Sequence, residues 1–346
     1  MDKLLHAQRF VDDQESIGIG LLVNDQNETE ASFAAELALE KINTSGGING
    51  KPLKLIIRSV EGSWGSGSGK VVDLVFKEKV SCILGSIDGR NSHLAEQVIA
   101  KTQVLYLSAW SSDPTLNKAY VPWYFSIMPT DDQQAMLLIG EIYSKKKFKK
   151  ILVLHDQTYD AEQALKSLLW TTKGIGDISI ASFGLPSSGS EAEDLESSLE
   201  KSEAEAIILL GRQHSLSESM VQLETFAKGT PVYTNISAQS SGEMIAKQAN
   251  NKLQLNMIVP ERWQETGSDP DQIALYKNFN RRPGPVATYA YDGIMIIAEA
   301  LRQSEHIEGS LLEAMSQINY QGLTGTIQFD SQGRLKSIEQ LLIIKE

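Results

Sequence analysis

Short apolar runs alternate with amphipathic segments along almost the whole chain. Ile17–Val23, Leu53–Val60, Ser81–Gly85 and Val104–Leu107 read as strands. Between and after them, apolar residues recur at near-helical spacing: Phe33, Leu37 and Ile42; Val71, Val75 and Phe76; Leu94, Val98 and Ile99. Apolar strands alternating with helices predict a parallel sheet covered on both faces. The series then begins again. Ala135, Leu138, Ile139 and Ile142 follow the i, i+3, i+4, i+7 rule of a helix. Further strands are predicted at Ile151–Leu154, Ile178–Phe183, Ala206–Leu210, Pro231–Thr234 and Leu255–Val259. Helices are marked by Ala161, Leu165, Leu168 and Leu169, by Leu195 and Leu199, by Leu216, Met220 and Leu223, and by Ile294, Ile297, Ala298 and Leu301. Gly325–Phe329 and Leu341–Ile344 read as closing β-structure around the turn Asp330-Ser331-Gln332-Gly333.

Two successive series of this kind predict an α/β protein of two doubly wound, Rossmann-like lobes. The length of 346 residues agrees with about two domains at roughly 150 residues each. In such sheets ligands bind beyond the carboxyl ends of the strands, and two facing lobes make a cleft suited to a small molecule. Gly62–Gly69 and Pro186–Ser190 read as loops, and the basic run Lys145–Lys150 as a solvated helix end complementing the helix dipole. Lys3–Asp13 has the makings of an extra helix.

Charge and composition narrow the functional classes. The balance of 32 basic and 44 acidic residues, net −12, argues against a nucleic-acid surface and against a polybasic membrane patch. No apolar run approaches the roughly 18 residues of a membrane helix. The lone Cys82 excludes an internal disulfide and reads as a buried strand residue. The histidines, His6, His93, His155, His214 and His306, never fall at i, i+3 or i, i+4, so the helical metal motif is missing. Gly65-Ser66-Gly67-Ser68-Gly69-Lys70 has the wrong glycine spacing for a phosphate loop, and Val71 stands where a hydroxyl would meet magnesium. There is no Gly-x-Ser-x-Gly elbow, and His155-Asp156 is an adjacent pair without a nucleophile. No enzyme, cofactor or metal is expected.

Ala38-Leu39-Glu40-Lys41-Ile42-Asn43-Thr44-Ser45-Gly46-Gly47-Ile48-Asn49-Gly50-Lys51-Pro52-Leu53 resembles a specific family: the first helix, Gly-Gly-Ile-x-Gly turn and second strand of type I periplasmic binding proteins, in particular the branched-chain amino-acid (Leu/Ile/Val) binding proteins of ABC importers. Ile83-Leu84-Gly85-Ser86, Leu107–Pro114, Leu154–Tyr159 and Thr288–Gly293 resemble later family segments in the same order. The resemblance implies two lobes joined by three crossovers near Thr130, Pro260 and Gly325, with a ligand cleft between them. Lobe 1 would comprise 16–130 and 262–325, lobe 2 131–261 and 326–346, with 1–15 an N-terminal extension. It further implies a monomeric, non-enzymatic solute-binding protein in the periplasm or another extracytoplasmic space, its leader removed, which passes a small ligand to permease subunits. The alternative is the same fold used as a ligand sensor or regulator.

Residue by residue, the family's first binding loop falls on Asp88-Gly89-Arg90-Asn91-Ser92, where Arg90 and Asn91 replace serines. Arg90 reads either as a bidentate clamp on a ligand carboxylate at a helix N-terminus, or as a surface arginine or salt bridge. The second loop offers Trp110, Ser111 and Ser112; the tryptophan departs from the family's small residue and reads either as a stacking surface or as loop packing. Trp64 reads as cleft-facing or lid-like. Tyr159 matches a family tyrosine that reaches the ligand, and Arg212 and Gln213 occupy the place of another ligand-facing aromatic. Around Asn235 and Ile236 the family's acid for a ligand ammonium is missing; Asp131 is the one substitute, with a competing role as helix N-cap. These departures point away from leucine or isoleucine and toward an aromatic or other carboxylate-bearing metabolite.

Overall fold

The computed structural model describes residues 15–27, 29–62, 65–185, 192–227, 229–239, 253, 255–260, 262, 269–279, 282–304, 311–338 and 341–345. Trp64, Lys3–Asp13 and the Ser-rich stretch 186–190 lie outside them. The chain divides into two compact units, Met1–Met128 with Glu265–Leu275 and Val286–Gln340, and Pro129–Gln264 with Tyr276–Pro285 and Leu341–Glu346.

The first unit opens with β1 (Ile17–Val23), α1 (Thr29–Thr44), β2 (Leu53–Ser59), α2 (Ser66–Val72, prolonged by a π-turn Asp73–Lys77), β3 (Cys82–Ser86), α3 (Gly89–Thr102), β4 (Leu105–Ser108), a 3-10 turn Leu116–Ala119 and β5 (Tyr124–Ser126). The strands form a sheet of order β2-β1-β3-β4-β5, every pair parallel. All seven residues of β1 are buried, as a central strand covered on both faces requires. One side of the sheet packs Leu22, Leu74, Ile83, Ile99, Tyr106 and Tyr124 together.

Two local readings are corrected here. The buried face of α1 is Ala31, Ala34, Ala35, Ala38 and Ile42, while Phe33 is exposed and Leu37 half-buried. Small side chains let a helix lie close on a sheet, so the larger residues marked the wrong stripe. The glycine-rich run expected as loop becomes helical from Ser66, and Phe76 points to solvent.

The second unit holds α4 (Asp131–Ile139, prolonged by a π-turn Gly140–Lys145), β6 (Lys150–His155), α5 (Tyr159–Thr172), β7 (Ser179–Gly184), α6 (Ala192–Ser202), β8 (Ala206–Leu210), α7 (Gln213–Phe226), β9 (Val232–Thr234), a 3-10 turn Ile236–Gln239 and β10 (Leu255–Pro260). Its sheet runs β7-β6-β8-β9-β10, again parallel, so it repeats the first unit's strand order with no visible sequence repeat. The five residues of β8 are all buried in the middle of the sheet. Leu152, Leu154, Ile207, Leu209, Leu216, Leu223 and Met257 form part of this core. The lysine run ends in surface pairs, Lys145 with Glu141 at 2.9 Å and Lys149 with Asp177 at 2.7 Å.

The chain then supplies α8 (Pro270–Phe279), α9 (Pro285–Ser304), α10 (Leu311–Ser316) and the hairpin β11 (Asn319–Gly322) with β12 (Gly325–Gln328). Asp292 of α9 is fully buried and accepts hydrogen bonds from Leu323 N at 2.9 Å, Thr324 N at 2.7 Å and Thr324 Oγ1 at 2.6 Å. The hairpin is thereby tied to the helix at its turn. Last comes β13 (Leu341–Lys345), antiparallel to β10 at the edge of the second sheet.

The tail differs from the sequence reading. Gly325–Phe329 and Leu341–Ile344 do not pair with each other; β12 pairs with β11 and β13 with β10. Residues 326–340, expected in lobe 2, belong with the first unit. Ser126 N donates to Gly333 O at 2.8 Å, and Asn117 Nδ2 to Gln332 O at 2.9 Å. The last of the five passages between units therefore falls after Gln340, and none falls near Gly325.

Candidate functional site

In a sheet of order 2-1-3-4-5 the connections leave in opposite directions on either side of the first strand, which opens a crevice at the carboxyl ends. Each unit has such an end; of the residues singled out from the sequence, Trp64 lies outside the described residues and the others are placed as follows.

In the first unit Asp88 N-caps α3. Its carboxylate accepts from Asn91 N at 2.8 Å and from Asn91 Nδ2 at 3.2 and 3.1 Å. Asp88 N donates in turn to Asn24 Oδ1 at the end of β1, at 3.0 Å. A Cβ on Gly67 would stand 2.6 Å from Asn91 Oδ1, so the helix start needs a glycine opposite it. Asn91 is thus committed to building the loop. The helix N-terminus is capped by the carboxylate of Asp88, which accepts from Asn91 N. Arg90 is exposed in the first turn of α3.

The loop after β4 carries Trp110, 9% exposed, with Ser111 and Ser112 also buried. The indole packs edge-on against Tyr289 of α9, ring centroids 6.3 Å apart and planes at 64°. The loop closes on Asp113. Its Oδ1 accepts from Thr115 N at 2.8 Å and Thr115 Oγ1 at 2.7 Å, and its Oδ2 lies 3.0 Å from His93 Nε2 of α3. His93 Nδ1 faces Glu96 Oε2 at 3.5 Å. Hydrogen bonds to Asp113 and then Glu96 raise the His93 pKa to about 9 against the opposing effect of burial. Tyr106, Tyr124, Ser92, Ser108 and Glu96 are buried on the adjoining elements, and burial raises the pKa of both phenols. The His93–Asp113 pair was invisible in the sequence, because its members lie 20 residues apart on different elements.

In the second unit Asp156, at the end of β6, ties two loops together. Its Oδ1 accepts from Thr158 N at 3.0 Å and from Thr158 Oγ1, and its Oδ2 from Arg212 N at 2.8 Å. His155 Nδ1 contacts the main-chain oxygen of Asp156 at 2.9 Å, so the adjacent pair is not an imidazole–carboxylate dyad. Tyr159 is half-buried at the first position of α5, behind the Thr158 cap. Gln213 opens α7, but its side chain lies outside what is described. Asn235 is buried and caps the following 3-10 turn, its Oδ1 accepting from Ala238 N at 3.2 Å. Asp131 is buried in the first turn of α4, yet the N-cap is Thr130, which forms a capping box with Gln133.

Cys82 is fully buried, and burial pushes its thiol pKa up to about 12. Among the described residues no group of three or more His, Cys, Asp and Glu is placed to hold a metal ion. No helix among them is long and apolar enough to cross a membrane.

Two α/β units with the same parallel strand order, each presenting loops at its carboxyl ends, define a binding-protein architecture of the type I periplasmic class. A family model described as periplasmic binding protein matches residues 17–337, and the chain belongs to that family. It is 21% identical over 308 residues to the leucine-, isoleucine-, valine-, threonine- and alanine-binding protein of Pseudomonas aeruginosa, covering 88% of this chain and 82% of that protein. Among solved structures it resembles LivJ, a branched-chain amino acid transporter substrate binding protein of Streptococcus pneumoniae in complex with isoleucine, at TM-score 0.79 and 19% identity, over 96% of this chain and 100% of the other. It also resembles an ABC transporter solute binding protein of Rhodopseudomonas palustris in complex with 3,4-dihydroxy benzoic acid, at TM-score 0.80 and 16% identity, over 96% and 97%.

Proposed function

We propose that this chain is the extracytoplasmic solute-binding component of an ABC importer. It acts as a monomer, takes up one small carboxylate-bearing metabolite without transforming it, and passes it to permease subunits. The loops at the carboxyl ends of the two sheets are its contact surfaces. The observation that carries this reading is the loop after β4, which sets a nine-tenths-buried Trp110 beside Ser111 and Ser112 at the carboxyl end of a parallel sheet. A flat indole and hydroxyl donors suit a planar ligand with a polar edge. Arg90 serves as the carboxylate clamp on the first unit, and on the second unit Tyr159 is the proposed ligand contact.

The ligand class follows from what surrounds Asn235. An α-amino acid brings an ammonium that is costly to bury without an acid. The neighbouring Asn235-Ile236 pair supplies none, Asp156 is occupied by Thr158 and Arg212, and the buried Asp131 of α4 is the acid whose replacement by Asn would show whether an ammonium is served after all. An aromatic acid makes no such demand, and the Rhodopseudomonas palustris protein is one relative in fold that holds one.

Thermal melting of refolded protein against amino acids, aromatic acids, aliphatic carboxylates, amides and polyols tests the reading. A ligand at a hundred times its Kd adds about 2.7 kcal/mol, a rise of several degrees. Stabilisation by an acid that is recovered unchanged supports it; a flat panel overturns it.

A further inference from the structure

We propose that the His93 imidazolium is the positioning group of the 109–113 loop, holding that loop in one conformation at neutral pH and releasing it when the ring loses its proton. Its consequence for ligand affinity rests on the function proposed above; its effect on the loop does not.

The argument is geometric. His93 stands on α3 and Asp113 ends the loop that carries Trp110, Ser111 and Ser112, so their 3.0 Å contact ties the loop to the helix. The same Nε2 lies 3.0 Å from Thr115 Oγ1, just beyond the loop. The groups facing the ring are Asp113 and Thr115 from the loop side and Glu96 from α3, with the phenols of Tyr106 on β4 and Tyr124 on β5 near Glu96. The side chains of Asp113 and Glu96 are 1% and 7% exposed. Two buried carboxylates this close to one ring need its positive charge. A neutral imidazole has a single N–H. It can donate to Asp113 or to Glu96, so one carboxylate loses its donor and both lose the cation. Asp113 retains its two bonds from Thr115, so loss of the ring's charge weakens the tie between loop and helix while the carboxylate stays anchored in the loop. The raised His93 pKa agrees with this arrangement.

The test follows two signals in the intact protein by NMR from pH 6 to 10.5: the His93 ring, assigned with His93→Gln, and the Trp110 indole N–H, assigned with Trp110→Phe. The expected result is one shared midpoint near 9, with the Trp110 signal flat in His93→Gln. Glu96→Gln removes one facing charge and is expected to lower the midpoint by about one pH unit. A His93 midpoint near that of an exposed histidine, or a high midpoint with an unmoved Trp110 signal, overturns the proposal. Titration of 3,4-dihydroxybenzoate and L-isoleucine at pH 7 and pH 10 forms a separate arm. If neither binds at pH 7 the functional reading loses support, while the loop result stands on its own.

Discussion

Asp292 provides the sharpest test of how the first unit is held together. Its fully buried carboxylate receives three donors from the β11–β12 turn. Replacement by Asn is nearly isosteric, but one oxygen becomes an NH2. If the remaining oxygen keeps both Thr324 donors, the new NH2 confronts the Leu323 N–H and neither is satisfied. A hydrogen bond to a charged group contributes about 1.5–3 kcal/mol, and a stranded buried donor adds about 1–3 kcal/mol. Asp292→Asn is therefore expected to cost about 2–4 kcal/mol. In a unit of roughly 150–250 residues that lowers Tm by about 5–15 °C, read by far-UV circular dichroism. Gly322 supplies an internal control. A Cβ there would meet Asp292 Oδ2 at 2.5 Å and Cγ at 2.7 Å, so Gly322→Ala is itself destabilising. In an Asp292→Ala background most of that clash is gone, and the two costs should be strongly less than additive. Additive costs, or an Asn variant within 2 °C of the parent, would refute the account. The same helix carries Tyr289, against which Trp110 rests, so loosening it should also broaden the Trp110 indole signal.

Other expectations follow from the same geometry. Arg90→Ala should weaken binding of whichever acid emerges from the melting panel by at least tenfold, while the Tm of the free protein, measured alongside, reports any structural cost of losing the exposed side chain. Equal affinity by calorimetry removes the clamp. The His93 pKa is raised on folding from 6.5 to about 9, so its stabilisation is complete below about pH 6.5 and is lost as pH rises through about 9. With the ring 32% exposed, solvent screening leaves about 1–2 kcal/mol, visible as a lower urea midpoint at pH 10 than at pH 6 that His93→Gln abolishes. Cys82 should react with a thiol reagent only after unfolding, at a rate that follows global opening; rapid labelling of native protein would contradict its burial.

The parts of the fold legible in the sequence were those with strong local signals. β8 is an uninterrupted apolar run in the middle of a sheet, and Ala206–Leu210 is read from it without error. The buried face of α9 likewise follows from Ile294, Ile297, Ala298 and Leu301. Weak signals failed where tertiary contacts decide. β5 is three residues long and exists because β4 lies beside it, so no pattern announces it. The core face of α1 is written in alanines, which hydrophobicity ranks below the phenylalanine that ends up exposed. The tail paired differently because β12 has a partner immediately upstream in β11, a segment whose Asn-Tyr-Gln-Gly composition carries no strand signature. At the candidate site, family motifs located the loops after β3 and β4, whereas the duties of individual side chains needed the structure. Asn91 and Asn235 proved to be occupied as helix- and turn-building groups. His93 could not be found from sequence at all, since its partners come from two different elements.

The final strand has a consequence for how the molecule is made. β13 is formed by Leu341–Lys345 and completes a sheet whose other strands were synthesised between residues 150 and 260. The first unit in turn waits for α9 and the hairpin, which end at Gln328. A ribosome that has released the first 300 residues has therefore delivered neither unit whole. Strictly sequential completion of one unit and then the other is therefore not open to this chain. A product cut short before Leu341 would leave β10 as a bare sheet edge inviting aggregation.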